Sequence, residues 1–277
     1  MTDIFKTNNE YDAMMVGDEM YVAVPENRTG DYVIYKGTGR EFNSRFYSTG
    51  DHVDTVESFV TYVEDVRIHR AQLSQLGRTS NRANTKTPWG SADNVEVYGE
   101  GVMFYSTPSH GGFKVYKKLN EAIPEAYRNA NGWYEEDCEW AKVAAGLPHL
   151  FTDRELRTAE RTLKNWFPSA YEAVNNVVLS EEESHVKAEA AFKERHAEDL
   201  IVIAAINSDE HKGMVTCTAT IGGKRGGYSE GVELPTPETR TFLVPASEYN
   251  KRSKFGFVID IEQHRELVPE DVAAFAP

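Results

Sequence analysis

The order of the apolar patterns along the chain limits the possible folds more than any other feature. Runs of β-branched and aromatic residues, typical of β-strands, lie within residues 18–48 and recur within 95–116 and 200–259. Between the last two groups, residues 133–196 carry apolar side chains at helical spacing. Because strands and helices are grouped rather than alternating, the pattern favours an α+β fold. We predict a mainly antiparallel sheet with a central helical block.

The first 76 residues are predicted to form a small N-terminal α+β region. Three strand-like runs, the third over residues 41–47, precede a helical pattern that continues to Leu76. Residues 77–88 follow, with many turn formers, three basic side chains and no apolar periodicity, so we predict a linker there. Residues 89–277 then form the main α+β domain.

Capping signals indicate where helices of the central block begin. The first helix is predicted to begin near Trp133. Thr152 and Glu155 have the spacing of a capping box for the second helix, and residues 180–183 are predicted to cap the fourth. Beyond the helices, residues 200–206 form a continuous apolar run, which predicts a strand buried on both faces.

The formal net charge of −14 limits the partners of the protein. Such a charge disfavours direct binding to nucleic acid, whose phosphates meet a repulsive long-range field. The same field favours a protein partner with a basic surface. Solubility alone is the simpler explanation of the charge and remains an alternative.

The chain also lacks the usual signs of export or membrane insertion. No apolar run approaches the ~20 residues that a helix needs to cross a bilayer, and the first residues do not resemble a secretory signal. Cys138 and Cys217 are far apart and lack the spacing of metal ligands, so a disulfide scaffold is excluded. We therefore expect a cytoplasmic protein without a membrane segment.

A histidine on a glycine-flanked loop is the first candidate for chemistry. His110 precedes Gly111 and Gly112, which permit positive φ or close approach of a ligand to the backbone. An imidazole in such a loop can act as a base, an acid or a metal ligand. The alternative is a corner between two strands, in which His110 has only a structural hydrogen bond.

A cluster of acidic residues is the second candidate. Glu135, Glu136, Asp137 and Glu139 lie within five positions and have the chemistry to bind a divalent cation or to supply a general acid. The alternative is structural, because acidic residues in a first helical turn are favoured by the helix dipole. The sequence leaves the identity of any metal or cofactor open.

Two further patterns are weaker candidates. His196 lies near the end of the fourth predicted helix, where a solvated helix face is the alternative to a ligand-binding role. Residues 222–227 form a glycine-rich segment with two cations, but it matches no known phosphate-binding motif. We interpret that segment as a hairpin tip.

Several of these motifs together resemble a family. The stretches 106–114, with the His110 loop, and 133–141, with the acidic cluster, are followed by motifs at 213–215, 242–249 and 255–260. Over about residues 88–264 the chain resembles a domain family of unknown function carried on phages, plasmids and genomic islands of proteobacteria. The resemblance emphasises ten positions: His110, Gly111, Gly112, Tyr134, Glu135, Glu136, Asp137, Glu248, Tyr249 and Asp260. It implies that the His110 motif and the Glu135–Asp137 motif form one site.

Three hypotheses for function follow. The first is an accessory protein of a mobile element that binds a host or phage protein, with a surface that mimics nucleic acid and counters a defence system. The second is a hydrolase or transferase acting on a nucleotide or nucleic acid. It would use His110, Glu135, Glu136 and Asp137, with Gly111, Gly112, Tyr134 and His196 binding the ligand. The third is that all these residues are structural.

Overall fold

The computed structural model describes residues 4–26, 29–229 and 232–267. It confirms the predicted α+β class, with helices and antiparallel sheets. Within those ranges no helix combines the length and the apolar character that a membrane span requires. The last ten residues of the predicted main domain, 268–277, lie outside the described part of the chain.

The chain divides into two compact units that are not consecutive in sequence. The first contains the residues up to 163 together with 169–177, and the second contains 164–168 together with the residues from 178 onward. The predicted linker at 77–88 therefore lies inside the first unit.

The first unit begins with an antiparallel sheet in which each strand pairs with its neighbour in the chain. Its strands are β1 (Phe5–Lys6), β2 (Asp12–Val16), β3 (Glu19–Pro25), β4 (Tyr32–Thr38) and β5 (Tyr47–Val53). The strand predicted over residues 41–47 is wrong, because β5 begins only at its last residue. Phe42 and Phe46 come from irregular backbone, and their rings pack edge to face in a cluster on one face of the sheet.

The other face of this sheet packs against helix α1 (Val56–Leu76), which confirms the predicted helix. The buried positions Phe59, Val63 and Val66 recur at helical spacing and face the sheet. The Thr55 hydroxyl caps the first turn by accepting the backbone N–H of Ser58. The helix ends at Gly77, which is left-handed with φ 60°.

A second five-stranded sheet follows, with the order β12-β11-β10-β9-β6, and a separate hairpin, β7–β8, precedes β9. The elements are β6 (Thr79–Arg82), β7 (Lys86–Thr87), β8 (Gly90–Ser91), β9 (Asn94–Gly99), β10 (Val102–Ser106), β11 (Gly111–Val115) and β12 (Trp133–Glu135). Strand β6 lies in the predicted linker, which is therefore not an unstructured segment. Sequence patterns missed β6 because it is an edge strand exposed along its whole length, so it shows no apolar alternation.

The helix predicted to begin near Trp133 is wrong. Residues 133–135 form β12, in which Tyr134 is buried and its two neighbours are half-buried, as expected for a strand with period two. The helices of this region are α2 (Lys117–Asn120), α3 (Trp140–Gly146), α4 (Asp153–Trp166) and α5 (Pro168–Asn175). The predicted capping box at α4 is confirmed, because Thr152 N–H donates to Glu155 Oε2 and Glu155 N–H donates to Thr152 Oγ1.

The second unit contains helices and a four-stranded antiparallel sheet of order β13-β14-β17-β18, with a short β15–β16 hairpin. Its elements are α6 (His185–Arg195), β13 (Leu200–Asn207), β14 (Met214–Ile221), β15 (Gly227–Ser229), β16 (Val232–Leu234), β17 (Arg240–Pro245), α7 (Ala246–Tyr249) and β18 (Arg265–Glu266). Ser184 caps α6, rather than residues 180–183. Strand β13 was predicted to be buried on both faces, but it lies at the sheet edge and its second half is exposed.

Candidate metal site

The loop that carries His110 is a tight connection between β10 and β11. Ser106 and Gly111 are paired across the hairpin, so residues 107–110 form the turn. The backbone N–H of Thr107 donates to the carbonyl oxygen of His110 at 2.7 Å, and His110 N–H donates to Thr107 Oγ1 at 3.1 Å. These bonds fix the backbone of His110, while its side chain remains 55% exposed. The imidazole is therefore held at a sheet end with access to solvent.

The two glycines after His110 are required for packing rather than for unusual backbone angles. A Cβ at Gly111 would lie 2.5 Å from Glu136 Oε2, and a Cβ at Gly112 would overlap the Trp89 ring and the carbonyl oxygen of Tyr134. Both glycines are buried within β11. Because neither glycine has a side chain, the Glu136 carboxylate can approach Gly111 and the Trp89 indole can approach Gly112.

Glu135 and Glu136 reach the His110 loop because β12 pairs with β11. Glu135 is opposite Gly112, and the backbone N–H of Glu136 donates to the carbonyl oxygen of Gly111 at 3.1 Å. The chain then turns, and the backbone N–H of Asp137 donates to Glu135 Oε2 at 2.7 Å. The other carboxylate oxygen, Glu135 Oε1, is buried and has no hydrogen-bond partner within the described ranges.

The structure brings three of the predicted site residues together. His110 Nδ1 lies 3.9 Å from Glu136 Oε1, and one ligand-type atom from each of His110, Glu135 and Glu136 lies within 4.8 Å of the other two. Metal–ligand bonds of ~2.1 Å place neighbouring ligand atoms roughly 3–3.5 Å apart. The ligand atoms are therefore slightly farther apart than in a metal-bound site. The exposed imidazole and the 35% exposed Glu136 side chain have room to rotate and shorten these distances.

Glu139 supports the acidic turn from behind. Its Oε2 atom accepts the backbone N–H of Glu135 at 3.2 Å and the side-chain amide of Asn129 at 2.9 Å, and its Oε1 atom accepts Lys142 Nζ at 2.9 Å. Burial acts to raise the pKa of Glu139, but these bonds outweigh it and hold the pKa below its usual range. Glu139 is thus an ionised positioning group for the backbone of Glu135.

Three other predicted site residues have different surroundings. Asp137 is the one exposed acid of the cluster, and its side chain is not part of the three-residue group. Tyr134 is fully buried, and its hydroxyl donates to Asn120 Oδ1 at 2.6 Å, so a ligand-binding role does not fit its position. His196 lies in the second unit, with Nδ1 2.7 Å from Asp199 Oδ2.

Glu248 and Asp260, which the resemblance also emphasised, belong to the second unit as well. There they hold the buried imidazole of His264. Its Nε2 atom lies 3.1 Å from Glu248 Oε1, and its Nδ1 atom accepts the backbone N–H of Asp260 at 3.0 Å. These residues therefore form a structural network of their own.

Cys138 lies beside the three-residue group but lacks the character of a nucleophile. Burial raises the pKa of its thiol, and the nearby carboxylates of Asp137 and Glu135 raise it further. The thiol therefore stays protonated near neutral pH and has little thiolate character.

Some residues of the site were not predicted. Trp89 lies over Gly112 and packs edge to face on Trp133, with ring centroids 5.7 Å apart. No periodic pattern indicated Trp89, because this residue lies in the turn of the β7–β8 hairpin, whose strands have two residues each. Lys142 was detectable in principle, since it follows Glu139 by three residues at the start of a helix.

The arrangement has the chemistry of an open metal site. One imidazole nitrogen and two carboxylates suit divalent ions such as Zn²⁺, Mn²⁺ or Fe²⁺. Three protein ligands leave coordination positions for water or substrate, as in catalytic zinc sites. A cation would also give the buried oxygen of Glu135 a partner, and such an oxygen otherwise costs ~1–3 kcal/mol of stability.

Comparison with known proteins identifies the part of the chain that contains this site. Residues 82–197 match the model of a family described as "Domain of unknown function (DUF7007)". No curated protein and no solved structure matches the chain. The matched range includes His110, Glu135 and Glu136, whereas the resemblance expected beyond residue 197 lies outside it. The segment from 82 to 197 therefore belongs to a family of domains of unknown function, as its motifs indicated.

Proposed function

We propose that this protein is a metal-dependent hydrolase or transferase whose substrate is a nucleotide. One observation carries the proposal: His110, Glu135 and Glu136 converge within 4.8 Å, and they do so at an exposed sheet end. In this role the three side chains hold a divalent cation. A cation bound there lowers the pKa of a coordinated water and polarises a phosphoryl oxygen.

The choice of a nucleotide over a long nucleic acid rests on charge. A net charge of −14 repels a polyanion over a large distance, whereas a bound cation neutralises the few charges of a single nucleotide. Trp89, which lies over Gly112, and Trp133, which packs on Trp89, are half-buried and provide aromatic surface on which a base can pack. Solvent access to His110 leaves room for the phosphate groups.

Metal binding is the first test. Isothermal titration of metal-free protein with Mn²⁺ and with Zn²⁺ is expected to show one site, weakened about tenfold or more in Glu135→Gln and in His110→Ala. Asp137→Asn is the matched control, because it removes a neighbouring carboxylate outside the three-residue group. Equal affinity in Glu135→Gln and Asp137→Asn, or no binding in the parent protein, would rule out the site.

Activity is the second test. A panel of nucleotides incubated with the metal-loaded protein is expected to yield a hydrolysis product or a transferred group, detected by chromatography. The product should be lost in Glu135→Gln and retained in Asp137→Asn. Metal binding without turnover of any nucleotide would leave a metal site but refute the enzymatic role.

We also propose, as a second candidate, that the protein is an accessory protein of a mobile element that binds a basic partner protein. The net charge and the run of exposed acids at Glu181, Glu182 and Glu183 support this role. The acids at 135–139 give weaker support for mimicry of nucleic acid, because Asp137 is the only one of them that is exposed. Capture from host lysate at low salt should retain a partner that elutes steeply with salt, and reversal of Glu181–Glu183 to lysine should abolish capture. Retention unchanged by that reversal would exclude this surface.

A cytoplasmic location accompanies both proposals. Its support is the pair of free cysteines, Cys138 and Cys217. Burial raises the pKa of the Cys217 thiol to about 11, so this thiol is protected from oxidation as well.

A further inference from the structure

A cavity of about 520 Å³ lies within the first unit, between the N-terminal sheet and α1. One wall is a row of paired residues across three strands: Tyr21 on β3, Lys36 on β4 and Tyr47 on β5. The opposite wall is one face of α1, with Tyr62 and Arg70 two turns apart. This volume is in the range of small-molecule sites.

The sheet is deformed where the cavity opens. Val33 pairs with His52 and Tyr35 pairs with Ser48, so Ile34 alone faces three residues of β5, among them Gly50 with φ 82°. A bulge of this kind redirects side chains, and bulges recur beside functional sites. The bulge turns hydroxyl groups and Asp51 into the lining of the cavity.

The charge of the lining is opposite to that of the whole chain. Three cations, on Lys36, Arg70 and Arg154, line the cavity with a single carboxylate, Asp51. Burial is the main cause that lowers the pKa of His69, also in the lining, so this imidazole is neutral near pH 7. Cations thus outnumber carboxylates in the lining itself, while Glu19 and Asp65, which pair with Arg70 and Arg154, are outside it.

The three cations differ in how their charge is compensated. Arg70 forms an ion pair with Glu19 and donates to the carbonyl oxygen of Val16, so it is part of the framework. Arg154 lies 3.8 Å from a carboxylate oxygen of Asp65 and over the Tyr62 ring. Lys36 contacts a tyrosine, and the charge of Glu19 acts on it as well, without an ion-pair contact.

The Lys36 ammonium lies 5.5 Å from the centroid of the Tyr47 ring. A hydrogen bond with the Tyr47 hydroxyl is the main cause that raises the pKa of Lys36 and keeps it charged. Tyr47 is also 55% exposed, so its ring is accessible to solvent. A charged ammonium and an exposed ring lie side by side at the mouth.

We propose that this cavity binds a small organic phosphate with a planar group, of the nucleoside monophosphate class. Lys36 and Arg154 hold the phosphate, and the rings of Tyr47 and Tyr62 pack against the planar group. Most of the lining precedes residue 82, outside the matched domain, and the site is separate from His110, Glu135 and Glu136. The inference therefore stands independently of the proposed enzymatic function.

Titration calorimetry with the full chain tests the inference, with EDTA present so that no metal site contributes. Adenosine monophosphate is expected to bind, and adenosine and inorganic phosphate to bind more weakly, because each offers half of the contacts. Lys36→Gln and Arg154→Gln should each weaken binding about tenfold, the effect of one lost charge-assisted contact. Lys118→Gln, which removes an exposed lysine outside the cavity, should leave binding unchanged.

The calorimetry distinguishes binding in this cavity from binding at the candidate metal site. No binding of adenosine monophosphate at millimolar concentration, or equal affinity in Lys36→Gln and the parent protein, would overturn the inference. Binding of inorganic phosphate as tight as that of the nucleotide would overturn the role of the tyrosine rings. Glu135→Gln should bind adenosine monophosphate normally in EDTA, and a loss there would assign the nucleotide to the other site.

Discussion

Substitution of Arg78 should strongly destabilise the first unit, because this charged side chain is almost fully buried and paired. The Arg78 side chain is 7% exposed and donates two bonds of 2.8 Å to Glu155, one to each carboxylate oxygen. It also donates to the carbonyl oxygen of Leu150 at 2.8 Å, and its guanidinium lies 3.7 Å from the centroid of the Tyr98 ring. One side chain thus connects the predicted linker to β9 and to the start of α4.

The expected magnitude follows from what the substitution leaves behind. Arg78→Met keeps most of the aliphatic stem but leaves Glu155, 21% exposed, without its cation. Breaking a buried ion pair from one side costs about 3–5 kcal/mol, because a charge remains without compensation. We expect a loss in this range for the unfolding of the first unit.

Urea unfolding followed by circular dichroism measures this loss, with Arg45→Met as control. Arg45 is exposed, and its substitution should change the free energy of unfolding by less than about 0.5 kcal/mol. The double variant Arg78→Met/Glu155→Gln should recover part of the stability, since the charge without a partner is gone. A loss below about 1 kcal/mol in Arg78→Met would refute the reasoning and would return residues 77–88 to the status of a linker.

Further predictions concern the capping box, the glycines, acid stability and metal binding. Thr152→Ala removes the hydroxyl that accepts Glu155 N–H and should cost about 1 kcal/mol in urea unfolding; no change would refute the cap. Gly112→Ala should lower the melting temperature more than Gly111→Ala, because a Cβ at Gly112 would overlap the Tyr134 carbonyl oxygen, whereas a Cβ at Gly111 would lie 2.9 Å from the Tyr105 carbonyl oxygen and otherwise meets a movable carboxylate; an equal or smaller loss in Gly112→Ala would contradict this packing. Burial acts to raise the pKa of Glu155, but Arg78 outweighs it and the pKa is lowered. The parent protein should therefore lose stability as pH falls from about 4.5, and Arg78→Met should lose less over the same pH range. A Mn²⁺ concentration 100-fold above Kd should stabilise the parent protein by about 2.7 kcal/mol but not Glu135→Gln, measured by thermal unfolding.

The elements that sequence patterns predicted correctly are those with a strong local signal. Helix α1 places apolar residues at Phe59, Val63 and Val66, and the Thr152–Glu155 spacing gives two capping bonds that depend on no distant residue. Local chemistry determines these elements, so they can be recognised without knowledge of the rest of the fold.

The errors occur where distant partners decide the structure. Residues 133–135 follow Gly132 and precede three acids, which suits a helix start, but pairing with β11 makes them a strand. The exposed strand β6 depends on pairing with β9 in the same way. Tertiary pairing overrides local preference in both cases, and no single-sequence pattern reports it.

The candidate site was only partly accessible from sequence. His110 and the acids at 135 and 136 were recognised as chemically suitable, and the strand pairing brings them together. The wrong helix at Trp133 would have placed Glu135 and Glu139 on one face, whereas the strand and turn put Glu139 behind Glu135. The contribution of Trp89 depends on a hairpin whose position only the fold specifies.

The interleaving of the two units has a consequence for biosynthesis. The first unit includes residues 169–177, whereas the residues just before them, 164–168, belong to the second unit. During synthesis, the first unit is therefore incomplete until residue 177 has left the ribosome. For the same reason, no single cleavage point in the chain separates the two units. A chain truncated after residue 163 lacks residues 169–177 of the first unit, while a chain truncated after residue 177 retains residues 164–168 of the second.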